Sequence, residues 1–182
     1  LAVPTIAVAE MQTTQVKQSN NYKPYFSPFP PMLELNLPPA DIRLERRQER
    51  LHIWDFVRRR WVVLTPEEWV RQHFSHWMTE HLGYPLARLG HEISLEQNGM
   101  QRRADAVFYD HDGRPLIIME FKAPHISISH KTFDQISRYN MVLQVPYLIV
   151  SNGMQHFCLH VREEGMEFLR EIPRYGEIWG ER

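Results

Sequence analysis

The stretch Leu116–Pro124 begins as an apolar strand and then introduces two opposite charges. Because side chains alternate between the faces of a strand, Glu120 and Lys122 point the same way and Phe121 points the other way. A carboxylate and an ammonium group in an apolar strand are each costly unless they are paired or bind a metal. An exposed Glu–Lys pair is the ordinary alternative, but the apolar run before Glu120 favours a functional site.

The preceding strand supplies a partner for these charges. The stretch Arg102–Tyr109 also alternates, and it is followed by a strong turn signal at Asp110–Gly113. A hairpin closed at that turn places Asp105 on the strand next to Glu120 and Lys122. Carboxylate oxygens are the ligands that Mg²⁺ and Mn²⁺ prefer, and such a metal activates water and offsets charge on a phosphodiester. A lysine beside them can orient or deprotonate the attacking water, or stabilise charge developing on the phosphate.

The composition limits the partners that the chain can have. Its 182 residues are 43% hydrophobic and 24% charged, with a formal net charge of −1, which is ordinary for a globular protein. A tight non-specific nucleic-acid binder is usually basic, so any DNA contact must be local or supplied partly by a partner. The chain has seventeen arginines and only four lysines, so Lys122 is poorly explained as filler in an apolar strand.

Three features bear on the location of the protein. Cys158 is the only cysteine, so no intramolecular disulfide can form, which fits a reducing cytoplasm. No apolar run reaches transmembrane length, and the N-terminus lacks the basic region of a secretory signal. We therefore expect a cytoplasmic protein with no membrane partner.

The chain divides into two regions, an N-terminal segment and a single domain. Residues 1–31 include a proline-rich segment without a period and are predicted to be extended or disordered, and residues 32–182 are predicted to form one domain. Three short antiparallel strands and two turns are predicted next, at Ile42–Leu44, Leu51–Trp54 and Trp61–Leu64, with turns at Glu45–Arg50 and Arg58–Arg60. The basic turn could contact a phosphate backbone, although a solvated hairpin tip is the simpler interpretation.

A helix start is clear at Thr65. Thr65 is a typical N-cap, Pro66 suits the first helical position, and Glu68 completes a capping box, so a helix is predicted from there to about Leu82. Glu68 has an alternative role as an extra acid near the metal site, and the capping role is the favoured one.

A second helix is predicted at Lys131–Leu143, where Gln135 and Tyr139 lie four residues apart on one face. These two residues are either part of the site or an ordinary boundary pair. The near-continuous apolar run Val145–Val150 predicts a buried strand reached by that helix as a crossover. The expected fold is therefore α/β, with a mixed central sheet flanked by helices and an N-terminal antiparallel hairpin.

Further strands are predicted at both ends of this core, at His91–Glu96 before a turn at Asn98–Gly99, at Met154–Val161, and at Met166–Ile172, where a short helix is the alternative. Three side chains that could bind a metal share one face of the second of these strands: His156, Cys158 and His160. They are too spread along the strand to hold one tetrahedral ion.

The motifs taken in order resemble the PD-(D/E)xK nuclease superfamily: a helix, Arg-Ala-Asp105, Met-Glu120-Phe-Lys122-Ala-Pro, and a helix with Gln135-x-x-x-Tyr139. More closely, Trp61–Phe74 and Phe133–Asn140 resemble the N-terminal nuclease domain of type I restriction enzyme R subunits, in a branch of short stand-alone proteins. The resemblance covers about residues 33–175. It implies a restriction-endonuclease-like core for the domain predicted at residues 32–182.

The resemblance also implies a role for each matched residue. Asp105 and Glu120 would bind Mg²⁺ or Mn²⁺, and Glu68 would join them if it matches the acid on the first helix of many such nucleases. Lys122 would be the catalytic lysine. The remaining pair would support the site or touch DNA: Gln135 and Tyr139.

Two functions from different classes follow. The first is a metal-dependent DNA nuclease that hydrolyses phosphodiester bonds, and the second is a non-catalytic DNA-binding or assembly module of a restriction or repair complex. The 182 residues contain no Gly-x-x-x-x-Gly-Lys loop, so they lack the ATP-driven motor of a full R subunit. The chain would act alone or with separate restriction or helicase subunits. The sequence leaves open the DNA specificity, the strand preference and the oligomeric state, a homo-oligomer included.

Overall fold

The computed structural model describes residues 33–97 and 100–178. The predictions for residues 1–31 and for the turn at Asn98–Gly99 lie outside these residues. The described chain forms a small three-stranded sheet and a six-stranded sheet, with helices packed on both faces of the larger sheet. Among the described residues, no helix combines the length and apolar composition needed to cross a bilayer.

The small sheet confirms the three antiparallel strands predicted in the N-terminal part of the domain. In chain order these are β1 (Leu44–Arg47), β2 (Arg50–Asp55) and β3 (Arg60–Val63). The prediction of a turn over the whole of Glu45–Arg50 is wrong, because only two residues turn. Gln48 and Glu49 have φ values of 45° and 67°, as a type I′ hairpin requires, and the charged residues before them pair with β2.

The first helix, α1 (Pro66–His76), begins as predicted. Thr65 is its N-cap, and its Oγ1 atom accepts a hydrogen bond from the Glu68 backbone N–H at 3.0 Å. A π-helical turn continues the helix over Trp77–His81, and Gly83 at φ 78° follows it. Glycine adopts this left-handed conformation at little cost, which suits the end of a helix.

The larger sheet is mixed, as predicted. In spatial order its strands are β4 (Leu89–Gln97), β5 (Met100–Tyr109), β6 (Pro115–Phe121), β7 (Tyr147–Ser151), β8 (His156–Arg162) and β9 (Gly165–Leu169). Only β6 and β7 are parallel, and the second helix, α2 (His130–Leu143), connects them. The segment Met166–Ile172, predicted as a strand or a short helix, forms strand β9 over its first part. A short helix, α3 (Tyr175–Ile178), follows it.

Strand β6 is covered on both faces. Ile117 and Met119 pack in a cluster with Phe74 of α1, and Ile118 packs in a second cluster with Ile136 of α2. All of these side chains are at most 1% exposed. The charges at the end of β6 therefore emerge from a strand that is otherwise fully apolar and dry.

The ladders of the sheet open beside Asp105. Pairing between β5 and β6 ends at Ala106–Met119, so Asp105 and Glu120 lie one position beyond it. Pairing between β4 and β5 also skips the position where Glu92 faces Asp105. The two predicted carboxylates therefore lie at the C-terminal end of β6, beyond its last pair with β5.

Candidate active site

Glu120 is buried and held by two polar partners. Its side chain is 4% exposed, and its Oε1 atom accepts hydrogen bonds from the Lys122 ammonium at 2.6 Å and from the Gln135 amide at 2.7 Å. The same Gln135 nitrogen donates to the Tyr139 hydroxyl at 3.0 Å. The strand pair and the helix pair singled out in the sequence therefore lie in one hydrogen-bonded group.

Asp105 lies beside the same end of β6 and is fixed from two sides. Its Oδ2 atom accepts a hydrogen bond from the Phe121 backbone N–H at 2.7 Å, which ties it to the end of β6. Its Oδ1 atom accepts from the Arg71 guanidinium of α1 at 2.9 Å. We call Asp105, Glu120, Lys122, Gln135 and Tyr139 the carboxylate site.

Arg71 joins three carboxylates in what we call the Arg71 cluster, which consists of Arg71, Asp105, Glu68 and Glu92. The Arg71 side chain is 6% exposed, and its Nη1 atom lies 2.7 Å from Glu68 Oε2 and 3.3 Å from Glu92 Oε1. Glu68 also accepts a hydrogen bond from Gln72 at 2.7 Å. Its carboxylate thus does not close the predicted capping box but connects to Asp105 through Arg71. Arg71 therefore lies between Glu68 and Asp105 and bonds to both. Only the backbone N–H of Glu68 takes part in the helix cap.

Glu92 has an unusual backbone conformation, because its φ of 54° is rare for a residue other than glycine. Its carboxylate makes ion pairs with Arg58 at 2.8 Å, Arg71 at 3.3 Å and Arg103 at 3.2 Å. Burial alone would raise the pKa of Glu92, but the arginine charges outweigh burial and lower it. Strained residues held by their surroundings are frequent beside functional sites, and this one faces Asp105.

Burial and charge shift the titration of the carboxylate site. Burial and the neighbouring Asp105 charge raise the pKa of Glu120 to about 7, against the opposing effect of Lys122. Burial would lower the pKa of Lys122, but its bond to Glu120 and the charges of Glu120 and Asp105 raise it instead. Glu67, exposed on α1, raises the pKa of both groups, so its charge also reaches the site.

The pKa of Glu120 predicts a pH dependence of stability in the absence of divalent metal. The folded chain retains a proton that the unfolded chain releases, so the free energy of unfolding should fall as the pH rises from 4.5 to about 7. The loss should be on the order of 3 kcal/mol. Urea unfolding in EDTA across this pH range should show it, and Glu120→Gln should not. Equal pH dependence in both proteins would contradict the assignment.

The donor set fits a hard divalent cation. Asp105 and Glu120 supply carboxylate oxygens, and no hydrogen bond from the described residues reaches the Oε2 atom of Glu120. Burial is the main cause of the raised pKa of Glu120, and a bound cation relieves the repulsion by Asp105 that adds to it. Mg²⁺ or Mn²⁺ therefore suits these residues, with Asp105 and Glu120 as the pair that would hold it.

The sequence interpretation missed Arg71, Glu92 and Glu67. A signal existed for Arg71, because it lies three and seven residues before Phe74 and Met78 on the buried stripe of α1. A charge on an apolar stripe is the same kind of signal that singled out Glu120 on its strand. Glu92 gave no comparable signal, because nothing in its neighbourhood indicates a left-handed backbone.

The basic turn at Arg58–Arg60 is divided between two roles. Arg58 makes an ion pair with the buried Asp55 and with Glu92, and is part of the protein interior. Its partner Asp55 also accepts a hydrogen bond from the buried His91, which lowers the pKa of Asp55 despite burial. Arg59 and Arg60 are exposed, as expected for a hairpin tip.

The histidines and cysteine of β8 do not converge. His156 is hydrogen-bonded to Ser151 and to the Asn36 carbonyl, each at 2.8 Å. Cys158 is buried in the core, and burial raises its pKa to about 12. His160 stacks on Tyr147 with ring centroids 4.6 Å apart. Each of these side chains therefore has a contact of its own within the fold.

Within residues 33–97 and 100–178, one group of acidic and histidine side chains is compact enough for a metal, at Asp110–Asp112. Its buried member, Asp110, accepts hydrogen bonds from the backbone N–H groups of Asp112 and Arg114 at 2.9 and 2.8 Å. These bonds close the predicted turn between β5 and β6, which explains the acidic residues there.

Comparisons with known proteins found a matching family model and a similar solved structure. A protein-family model described as the N terminus of the type I restriction enzyme R protein matches residues 66–173, which include all of the carboxylate site. Among solved structures, a fragment assigned as the HsdR subunit of a type I restriction enzyme from Vibrio vulnificus YJ016 has a TM-score of 0.52, with 17% identity over 64% of this chain. The match spans only 25% of that longer chain, and at this identity it shows a shared fold. No curated protein matches the sequence significantly.

Proposed function

Because the chain belongs to the family of type I restriction enzyme R protein N termini, we propose that it is a metal-dependent DNA nuclease. The observation that carries the proposal is the pairing of Glu120 with Lys122 at 2.6 Å, in a buried position beside Asp105. A buried acid with a raised pKa, a lysine in contact with it and a second acid nearby are suited to hydrolysis. We propose DNA as the substrate, and separate restriction or helicase subunits as partners that deliver it.

The roles of the residues follow from their contacts. A Mg²⁺ or Mn²⁺ ion held by Asp105 and Glu120 would supply Lewis-acid stabilisation of the phosphate and acidify a bound water. Lys122, 21% exposed, presents its ammonium at the edge of the site, where it can orient the attacking water or stabilise charge developing on the phosphate. The bond to Glu120 fixes the lysine side chain in that position.

The surrounding residues position the two acids. Gln135 donates to Glu120 and also contacts Tyr139, so the helix α2 sets the orientation of the Glu120 carboxylate. Arg71 does the same for Asp105 from α1. We assign Glu68 a positioning role through Arg71, since Arg71 and Gln72 already engage its carboxylate.

The test is cleavage of supercoiled plasmid and of linear single- and double-stranded DNA by the purified chain. Mg²⁺ or Mn²⁺ should permit cutting and EDTA should abolish it, because the cation would acidify the attacking water and offset the charge of the phosphate. Cutting that persists in EDTA would overturn the proposal. The products on the three substrates would also reveal the strand preference.

Thermal unfolding with Mn²⁺ tests the metal site, and together with the cleavage assay it separates a nuclease from a non-catalytic module. A ligand that binds only the folded state at a hundred times its Kd stabilises it by about 2.7 kcal/mol, so Mn²⁺ should raise the Tm and Glu120→Ala should remove the rise. A rise in Tm without cutting would favour a DNA-binding or assembly module that requires a partner. If Mn²⁺ neither raises the Tm nor supports cutting, the metal site itself is rejected.

A further inference from the structure

A cleft of about 580 Å³ opens beside the carboxylate site. Two residues of the site, Gln135 and Tyr139, form one part of its wall. The rest of its lining is mainly basic and consists of Arg102, Lys131, Arg138 and one acid, Asp134. The cleft is therefore continuous with the residues that hold Glu120, and it carries positive charge that the chain as a whole lacks.

Helix α2 arranges the cleft residues as a stripe. Lys131, Gln135 and Arg138 are spaced by four and then three residues, which places them on one face of the helix. Gln135, in the middle of the stripe, donates to Glu120 at 2.7 Å. The two cations therefore flank the point where the helix contacts the candidate reaction centre.

The cations of the cleft have no protein partners among the described residues. No hydrogen bond or ion pair within residues 33–97 and 100–178 involves the side chains of Arg102, Lys131 or Arg138, whereas Arg71 pairs with three carboxylates through its two Nη atoms. The Arg102 Nε atom is buried and without a hydrogen-bond partner. The Nε atom of Arg71 and the Oε1 atom of Gln72 are buried and unpartnered as well, so a ligand is indicated by the three unpaired charges of the cleft rather than by this one atom.

We propose that this cleft binds the phosphate backbone of DNA on both sides of the bond to be cleaved. The inference rests on the proposed function in one respect, that DNA is the substrate. Arginine and lysine are the usual phosphate ligands. Lys131 and Arg138 lie about 10 Å apart along the helix axis, and each carries a long side chain that extends the reach of its charge. Both cations can thus contact phosphates of one strand while Gln135 stays at the carboxylate site.

Fluorescence anisotropy of labelled single- and double-stranded DNA tests the cleft. It should be measured in EDTA, where no cleavage interferes, at several salt concentrations. Arg138→Ala, Lys131→Ala and Arg102→Gln should each weaken binding about three- to tenfold and reduce the slope of log K against log salt by about 0.7–0.9. Arg114→Ala, which removes an exposed arginine at the turn between β5 and β6, should change neither quantity beyond the effect of net charge.

Arg138→Glu reverses the charge at an exposed position of α2, so it should leave the fold intact. The reversed charge should nearly abolish DNA binding. Cleft variants that bind DNA as tightly as Arg114→Ala would overturn the cleft, and so would an unmodified chain that binds no DNA. If either of these results is found and the unmodified chain still cuts DNA, the cleft is rejected and the nuclease proposal remains. If the cleft variants lose binding but the unmodified chain never cuts, the cleft stands and the nuclease fails.

Discussion

The Lys122→Met variant should cut DNA at least about a hundredfold more slowly than the unmodified chain at saturating metal. Methionine retains the apolar stem of lysine but removes the ammonium that contacts Glu120 at 2.6 Å. The reaction then loses the group that orients water or stabilises the developing charge. Initial rates of plasmid nicking in Mg²⁺ and in Mn²⁺ measure the effect, and a reduced kcat with a similar KM would place it in the chemical step.

Two controls separate catalysis from folding in this variant. Arg114→Met removes an exposed charge from the turn between β5 and β6 and should leave the rate unchanged. The Lys122 ammonium also lowers the pKa of Glu120, so in EDTA its loss should extend the pH-dependent fall in the free energy of unfolding to higher pH. Cutting by Lys122→Met within about threefold of the unmodified rate would remove Lys122 from the mechanism, since general catalysis by a side chain is worth far more.

The carboxylate site was predictable because each step to it is local in the sequence. Alternation along β6 placed Glu120 and Lys122 on one face, and the turn at Asp110–Gly113 brought Asp105 alongside. Helical spacing then joined Gln135 to Tyr139. The crossover from β6 through α2 to β7 followed from the apolar run at Val145–Val150, and it is what brings Gln135 over the end of β6.

The Arg71 cluster was not predictable by these means. Its members come from α1, β4 and β5, so it depends on which strand flanks β5 and on where α1 crosses the sheet. Strand periodicity determines which face a residue occupies but not its neighbour across the sheet. The opening of both ladders at Asp105, and the left-handed backbone of Glu92, are consequences of that packing and have no local signature.

Replacing Arg71 should be the most destabilising single change in the chain that leaves the apolar core intact. Arg71→Met should lower the free energy of unfolding by about 3–5 kcal/mol, because three carboxylates then lose a buried counter-charge. Arg71 is 6% exposed and pairs with Glu68, Asp105 and Glu92 at 2.7 to 3.3 Å. Urea unfolding followed by tryptophan fluorescence measures the change, with slope m reported alongside the midpoint.

Arg103→Met is the matched control, because Arg103 also pairs with Glu92, at 3.2 Å, but is 62% exposed. Its loss should cost about 1 kcal/mol or less, as is typical of an exposed ion pair. Adding Glu68→Gln to Arg71→Met should recover part of the stability, since one unpaired charge is then neutralised. If Arg71→Met costs no more than Arg103→Met, the cluster does not stabilise the fold, and Asp105 must be held mainly by its bond to the Phe121 backbone.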